Sequence, residues 1–149
     1  MTDTQNGLPS PYQHSELYAD VPFKRFAAFV IDSILIFLIT IMLIPLTAFT
    51  ALFYFGFLGL VVSLIYRIVS LANKSSTPGM RLMAIEFRTH QGERFDLGTA
   101  VVHTLLFTVF MSTILPQLVS IILILTSGRA QGLHDFILGT AANNRTARQ

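Results

Sequence analysis

Hydrophobic positions fall into three long runs, at residues 26–46, 51–66 and 99–127, with polar residues gathered before, between and after them. The first run holds 21 residues, enough for a helix rising about 1.5 Å per residue to cross a hydrocarbon core of about 30 Å. Together the first two runs predict an N-terminal transmembrane helical hairpin. Pro45 marks the far end of the first helix, and the segment RIVSLA extends the second beyond Arg67. The turn PLTAFT carries no charge, whereas Lys24, Arg25 and Arg67 flank the opposite ends. Basic residues beside membrane helices concentrate on the cytoplasmic side, so the N-terminus and the segment after residue 67 are expected there. In the second run Gly59 and Ser63 stand four apart, with Gly56 a turn earlier. That spacing would let helix backbones approach closely in lipid.

Residues 73–98 change character. Met83, Ile85 and Phe87 alternate with Glu86 and Arg88, and HQGER offers a turn with Gly92 able to take positive φ. A small cytoplasmic β-hairpin is the expectation. The third run contains Pro116 near its middle, and a single crossing would leave Arg129, Arg145 and Arg148 on the wrong side. A Pro-broken third membrane segment, partly re-entrant or interfacial, is favoured over one long span. Residues 1–22 carry three prolines and no periodicity, so they are read as a disordered N-terminal tail. The membrane domain is placed at residues 23–142 and a C-terminal tail at 143–149.

Composition sharpens this picture. Only 12% of residues are charged and 52% are hydrophobic, against about 25% charged in soluble domains. The fold class expected is an α-helical integral membrane protein. With no cysteine, disulfides and thiolate chemistry are excluded. A net charge of +2, with no massed basic patch, gives nothing for nucleic acid to bind. No signal peptide is evident before the first run.

The candidate chemistry lies in charges beside lipid. Asp32 falls inside the first run, about 9 Å along the axis from Phe26. An acid at the centre of a membrane helix costs about 2.5–3.5 kcal/mol, which makes it a functional candidate. Arg25, seven residues earlier, lies on the same helix face, yet too far for easy direct pairing. A partner from another segment is required, and Asp135 in GRAQGLHDFILGT is the candidate, expected between a glycine-containing loop and a strand-like stretch. His103 is a further polar group among apolar neighbours, whereas His14 and His90 read as solvated.

Three stretches in order, RFAAFVID, TPGMRLMAIEF and LHDFILGT, resemble the RDD family, small bacterial membrane proteins named for an arginine and two aspartates. The resemblance covers about residues 22–142 and implies that Arg25, Asp32 and Asp135 are the name-giving positions. Two departures stand out: Met80 where members often carry lysine, with Arg81 following, and His103 where members often carry arginine. Arg81 and His103 are therefore accessory candidates. The resemblance implies an inner-membrane location and a transport role, with monovalent cation/proton antiport proposed for some members.

Two functions remain open at this level. In the first, Asp32 binds a cation or proton, Arg25 tunes it and Asp135 completes the site. So few helices cannot enclose a pathway, so a homo-oligomer would be needed. In the second, the chain is a scaffold or accessory subunit and the same charges hold the fold. Catalysis is not expected. The HD pair at 134–135 lacks the further ligands a metal hydrolase needs, and no phosphate loop or nucleophile motif occurs. No metal or cofactor is expected.

Overall fold

The computed structural model describes residues 7–145. Helix α1 runs Val21–Leu43, with Pro22 in its first turn where a missing N–H costs nothing. Its 23 residues span about 34 Å. Two short 3-10 turns, Pro45–Thr47 and Thr50–Tyr54, then lead into α2, Phe55–Lys74. The second membrane helix thus starts a turn later than its apolar run but does continue through RIVSLA. Phe37 meets Phe55 edge to face at 6.2 Å, tying the two helices together near the turn. Both α1 and α2 are long and apolar enough to cross a membrane. A Cβ at Gly56 or Gly59 would meet nothing within 4 Å, so these glycines serve no close helix contact within the described chain.

After α2 the chain turns sharply through Ser75, which takes positive φ, into a single-turn helix α3, Pro78–Leu82. Thr77 caps it by accepting the Met80 N–H, and Pro78 follows as its first residue. Strand β1, Ile85–Arg88, comes next. The expected local β-hairpin does not form. The turn at HQGER is present, with Thr89 N–H donating to Glu93 O at 2.9 Å and Gly92 at φ +79°. The returning segment, however, is captured elsewhere: Phe95 is buried and its N–H donates to Ser75 Oγ at 2.6 Å. Strand β1 pairs instead with β2, Ala141–Asn144, antiparallel, with Ile85 opposite Asn144 and Arg88 opposite Ala141. Ala141 and Ala142 are fully buried, and side chains this small let β2 slot against the helix ends.

Helices α4, Leu97–Met111, and α5, Ile114–Thr126, meet at 114°. As expected, the third apolar segment is broken, but not at Pro116. The break falls at Ser112–Thr113, and Pro116 sits in the first turn of α5, where its ring is tolerated. The pair could be one broken span or a re-entrant loop. Helix α6, Leu133–Leu138, then carries Asp135, so this acid sits on a short helix ahead of β2 rather than between a loop and a strand.

A buried cluster of Val21, Leu71, Met80, Ile85, Phe87 and Phe95 joins the start of α1, the end of α2, α3 and the sheet. By contrast, large apolar side chains along the rest of the long helices, such as Met42, Phe53, Ile114 and Leu125, face outward. That inversion suits helices whose surroundings are lipid rather than water. The described part of the N-terminal segment is tethered, so the expectation of a disordered leader does not hold for residues 7–20. Tyr18 donates to Pro9 O at 2.9 Å, and Asn144 Nδ2 donates to Glu16 O and Ala19 O. Residues 1–6 of that leader, and 146–149 of the expected C-terminal tail, lie outside the described residues.

Candidate functional site

The sharp turn from α2 into α3 brings Thr77 and Gly79 against the middle of α1, and there they meet Asp32. The carboxylate is almost wholly buried. Oδ1 accepts the Tyr66 hydroxyl at 2.7 Å and the Gly79 N–H at 2.8 Å, and Oδ2 accepts a short hydrogen bond from the Thr77 hydroxyl. Gly79 is required here. A Cβ at this position would lie 2.4 Å from Ala28 O and 2.8 Å from Asp32 Oδ1. An acid in a membrane helix is tolerable when enough donors satisfy it, and these three donors are all uncharged.

Asp135 lies on the other side of Arg25. The Arg25 guanidinium donates through Nη1 to Asp135 Oδ2 at 2.8 Å and to Ala130 O at 3.1 Å. Asp135 Oδ2 also accepts the Gly132 N–H at 3.0 Å, closing the first turn of α6. Oδ1 accepts from His103 Nε2 and from the Thr140 hydroxyl, both at 2.9 Å. A carboxylate only accepts, so His103 holds its proton on Nε2. The expectation of one cluster is therefore corrected. Arg25, His103 and Asp135 come together, but Asp32 bonds none of them. Arg25 points from α1 towards α6, while Asp32, two turns on, points towards α3. Arg81 reaches only Ser76 O, at 3.5 Å, and bonds neither acid.

Electrostatics set Asp135 apart from an ordinary carboxylate. Burial works to raise the Asp135 pKa, yet the adjacent Arg25 charge and the histidine contacts overcome it and hold the group well below the ordinary carboxylate range. Burial also drives His134 down to about 3, so that imidazole is neutral near pH 7 even though it lies 3.6 Å from Asp135. Its Nε2 is buried without a hydrogen-bond partner. Ligand-type atoms of His103, His134 and Asp135 all lie within 4.8 Å of one another, a spacing a metal ion could use. The Arg25 cation on the same carboxylate opposes a dication there.

Sequence reasoning missed Tyr66, Thr77, Gly79, His134 and Thr140 as members of these networks, and Arg67 beside them. Thr77 was findable, since T-P is a helix-start signal and a cap must sit near whatever its helix touches. Arg67 read as a topology residue at a helix end. It lies instead seven residues inside the end of α2, its guanidinium 4.4 Å from the Phe107 ring centroid. Arg25, Asp32 and Arg67 line a common cavity of about 60 Å³.

Long outward-facing apolar helices around a buried charged layer define an α-helical membrane protein. The RDD family model matches residues 20–139, and the chain belongs to the RDD family. No curated protein and no solved structure matches it.

Proposed function

We propose that the chain is a small multi-pass transporter, exchanging a monovalent cation for protons at Asp32. The carrying observation is the donor set of that carboxylate. Tyr66 and Thr77 are hydroxyls, and a hydroxyl that donates to an ionised acid can rotate and offer its oxygen lone pairs instead. Asp32, Tyr66 and Thr77 thus gather oxygen ligands suited to a hard cation, or, when Asp32 is protonated, suited to none. The 60 Å³ cavity beside Asp32 has room for water to reach it. Asp135 plays a different part. With a permanent cation against it, it fixes α1 to α6 and does not exchange.

The placement that goes with this reading is the bacterial inner membrane, with the N-terminus cytoplasmic. Two or three crossings cannot surround a pathway, so the working unit is a homo-oligomer. A second reading, a scaffold or accessory subunit, draws support from the complete hydrogen bonding of both acids. Proton flux in everted vesicles on adding sodium, potassium or lithium separates the two. Exchange predicts cation-dependent collapse of the gradient by wild type and none by Asp32→Asn at equal membrane levels. No flux from well-inserted wild type, with any of the three cations, would end the exchanger reading.

A further inference from the structure

Arg67 is a poorly accounted-for charge among the described residues. The side chain is half-buried, its Nε is buried without a partner, and among the described residues the guanidinium makes no hydrogen bond or ion pair with any side chain. The Phe107 ring covers one face, which satisfies no N–H. Native proteins rarely leave a buried N–H of a charged group without an acceptor, because that donor is then desolvated with no return. Arg67 faces the cavity it shares with Arg25 and Asp32. Asp32 is near enough to feel its charge, but the hydrogen bonds from Tyr66, Thr77 and Gly79 already engage both of its oxygens.

A second, larger space borders the first. A groove of about 790 Å³ opens between α1 and the α4–α5 elbow, walled by Phe23, Phe26, Phe29, Ile121 and Leu125, with Arg25 and Gln117 its polar members. Arg25 and Phe29 line both spaces. An apolar groove on a membrane protein with the Arg25 guanidinium in its wall, next to a small cavity that Arg67 also lines, matches an amphiphile with one acidic end. The inner cavity is small and favours a compact planar anion, which the guanidinium fork binds through two parallel hydrogen bonds.

We propose that the cavity between Arg25 and Arg67 binds the carboxylate of a single-chain fatty acid from the bilayer, with its tail in the groove between α1 and α5. The cavity also borders Asp32, so an anion there would alter the field at that acid, but the test below reads lipid binding rather than flux and its failure leaves the transport reading standing. In the bound state the carboxylate accepts from Arg67 and from the free edge of Arg25, while Arg25 Nη1 keeps Asp135.

Spin-labelled lipids test it with the full chain reconstituted in phosphatidylcholine vesicles. The probes are stearate labelled near its tail end, the methyl ester of the same acid, and phosphatidylglycerol with the same label. Stearate at a pH that ionises it is expected to be immobilised about tenfold more favourably than its ester, the worth of a charged hydrogen-bonded contact. Arg67→Gln should bring the two to parity. Because Arg67→Gln also alters a buried position, Leu125→Trp provides a separate check. This exposed side chain can be enlarged into the groove, and it should weaken stearate binding with both arginines intact. Equal immobilisation of acid and ester would overturn the proposal and leave water bridging Arg67 to Asp32. So would a stearate preference that survives Arg67→Gln in folded protein. Displacement of stearate by equimolar acetate would show a free-anion site, and equal preference for phosphatidylglycerol a general acidic-lipid surface. Either result overturns the fatty-acid assignment.

Discussion

Removing the Arg25 charge should cost far more than removing an exposed one. The Arg25 side chain is 12% exposed and the Asp135 side chain 0%, so solvent screens the pair little. In Arg25→Met the Asp135 carboxylate keeps three donors, from His103, Gly132 and Thr140, but loses its permanent counter-charge. Leaving one member of a buried pair alone costs about 3–5 kcal/mol, and the three remaining donors place the expectation near the lower end, at about 3 kcal/mol. Asp135→Asn should be of similar size, since it presents an amide N–H₂ to sites that all donate. The two losses should not add. Met beside Asn strands no charge, so the double variant should recover about 1–3 kcal/mol of the sum. Equilibrium unfolding in mixed micelles, read as a double-mutant cycle, supplies each number. A loss below about 1 kcal/mol for Arg25→Met, or strict additivity, would refute the claim that this pair locks α1 to α6.

Gly79→Ala should lower stability by about 1–3 kcal/mol, because the new methyl meets the Ala28 carbonyl at 2.4 Å and neither backbone can yield freely. Folded yield after mild heating in detergent would show it, and a wild-type yield would sink the close-packing argument. The pH dependence has a definite sign. His134 is pushed down to about 3 by burial, so the unfolded chain binds the extra proton first. The resulting stability is complete above about pH 6.5 and is lost as pH falls from there towards 3, with a full size of roughly 4–5 kcal/mol. His134→Gln should flatten that part of the stability curve. The Asp135 contribution, from a depressed pKa, is present above about pH 4 and fades only at still lower pH. An unchanged slope in the variant would contradict the neutral buried imidazole.

Much of the fold was legible because lipid imposes a coarse code. Two apolar runs with basic flanks gave α1 and α2 with small errors at the turn, where 3-10 geometry replaced the start of the second helix. The third segment was legible as broken, but the position of the break was not. Pro116 carries the strongest breaking signal in the run, yet proline is as acceptable in a first helical turn as it is disruptive in the interior. The β-hairpin failed for another reason. Its turn chemistry was real, but strand pairing is settled by burial, and AANN gives little β-propensity of its own to announce that it will take the place beside β1. At the site, residue types were visible and pairings were not. Asp32, Arg25 and Asp135 are conspicuous among apolar neighbours, whereas their partners are an ordinary tyrosine, threonine and histidine.

Under the proposed exchange, the separation of the two acids decides which of them could carry it. A group that binds and releases protons must have both states within reach near neutral pH. Asp135 does not. It is held by an arginine that never deprotonates, supported by a backbone N–H from Gly132 and by His103 and Thr140, and its protonated form would strand the Arg25 charge. Asp32 faces two hydroxyls and one N–H. Two of those three, the Tyr66 and Thr77 hydroxyls, can turn and present an oxygen instead of a proton. A charge without a partner beside it is Arg67, which shares the cavity without bonding to the carboxylate. Its distance matters as much as its sign. In direct contact it would fix Asp32 as Arg25 fixes Asp135, whereas across a cavity that water or an anion can enter, its pull on Asp32 varies with what fills the gap. One arginine–aspartate pair is therefore a lock, and the other aspartate, with its arginine held apart, is the position that the proposed exchange would use.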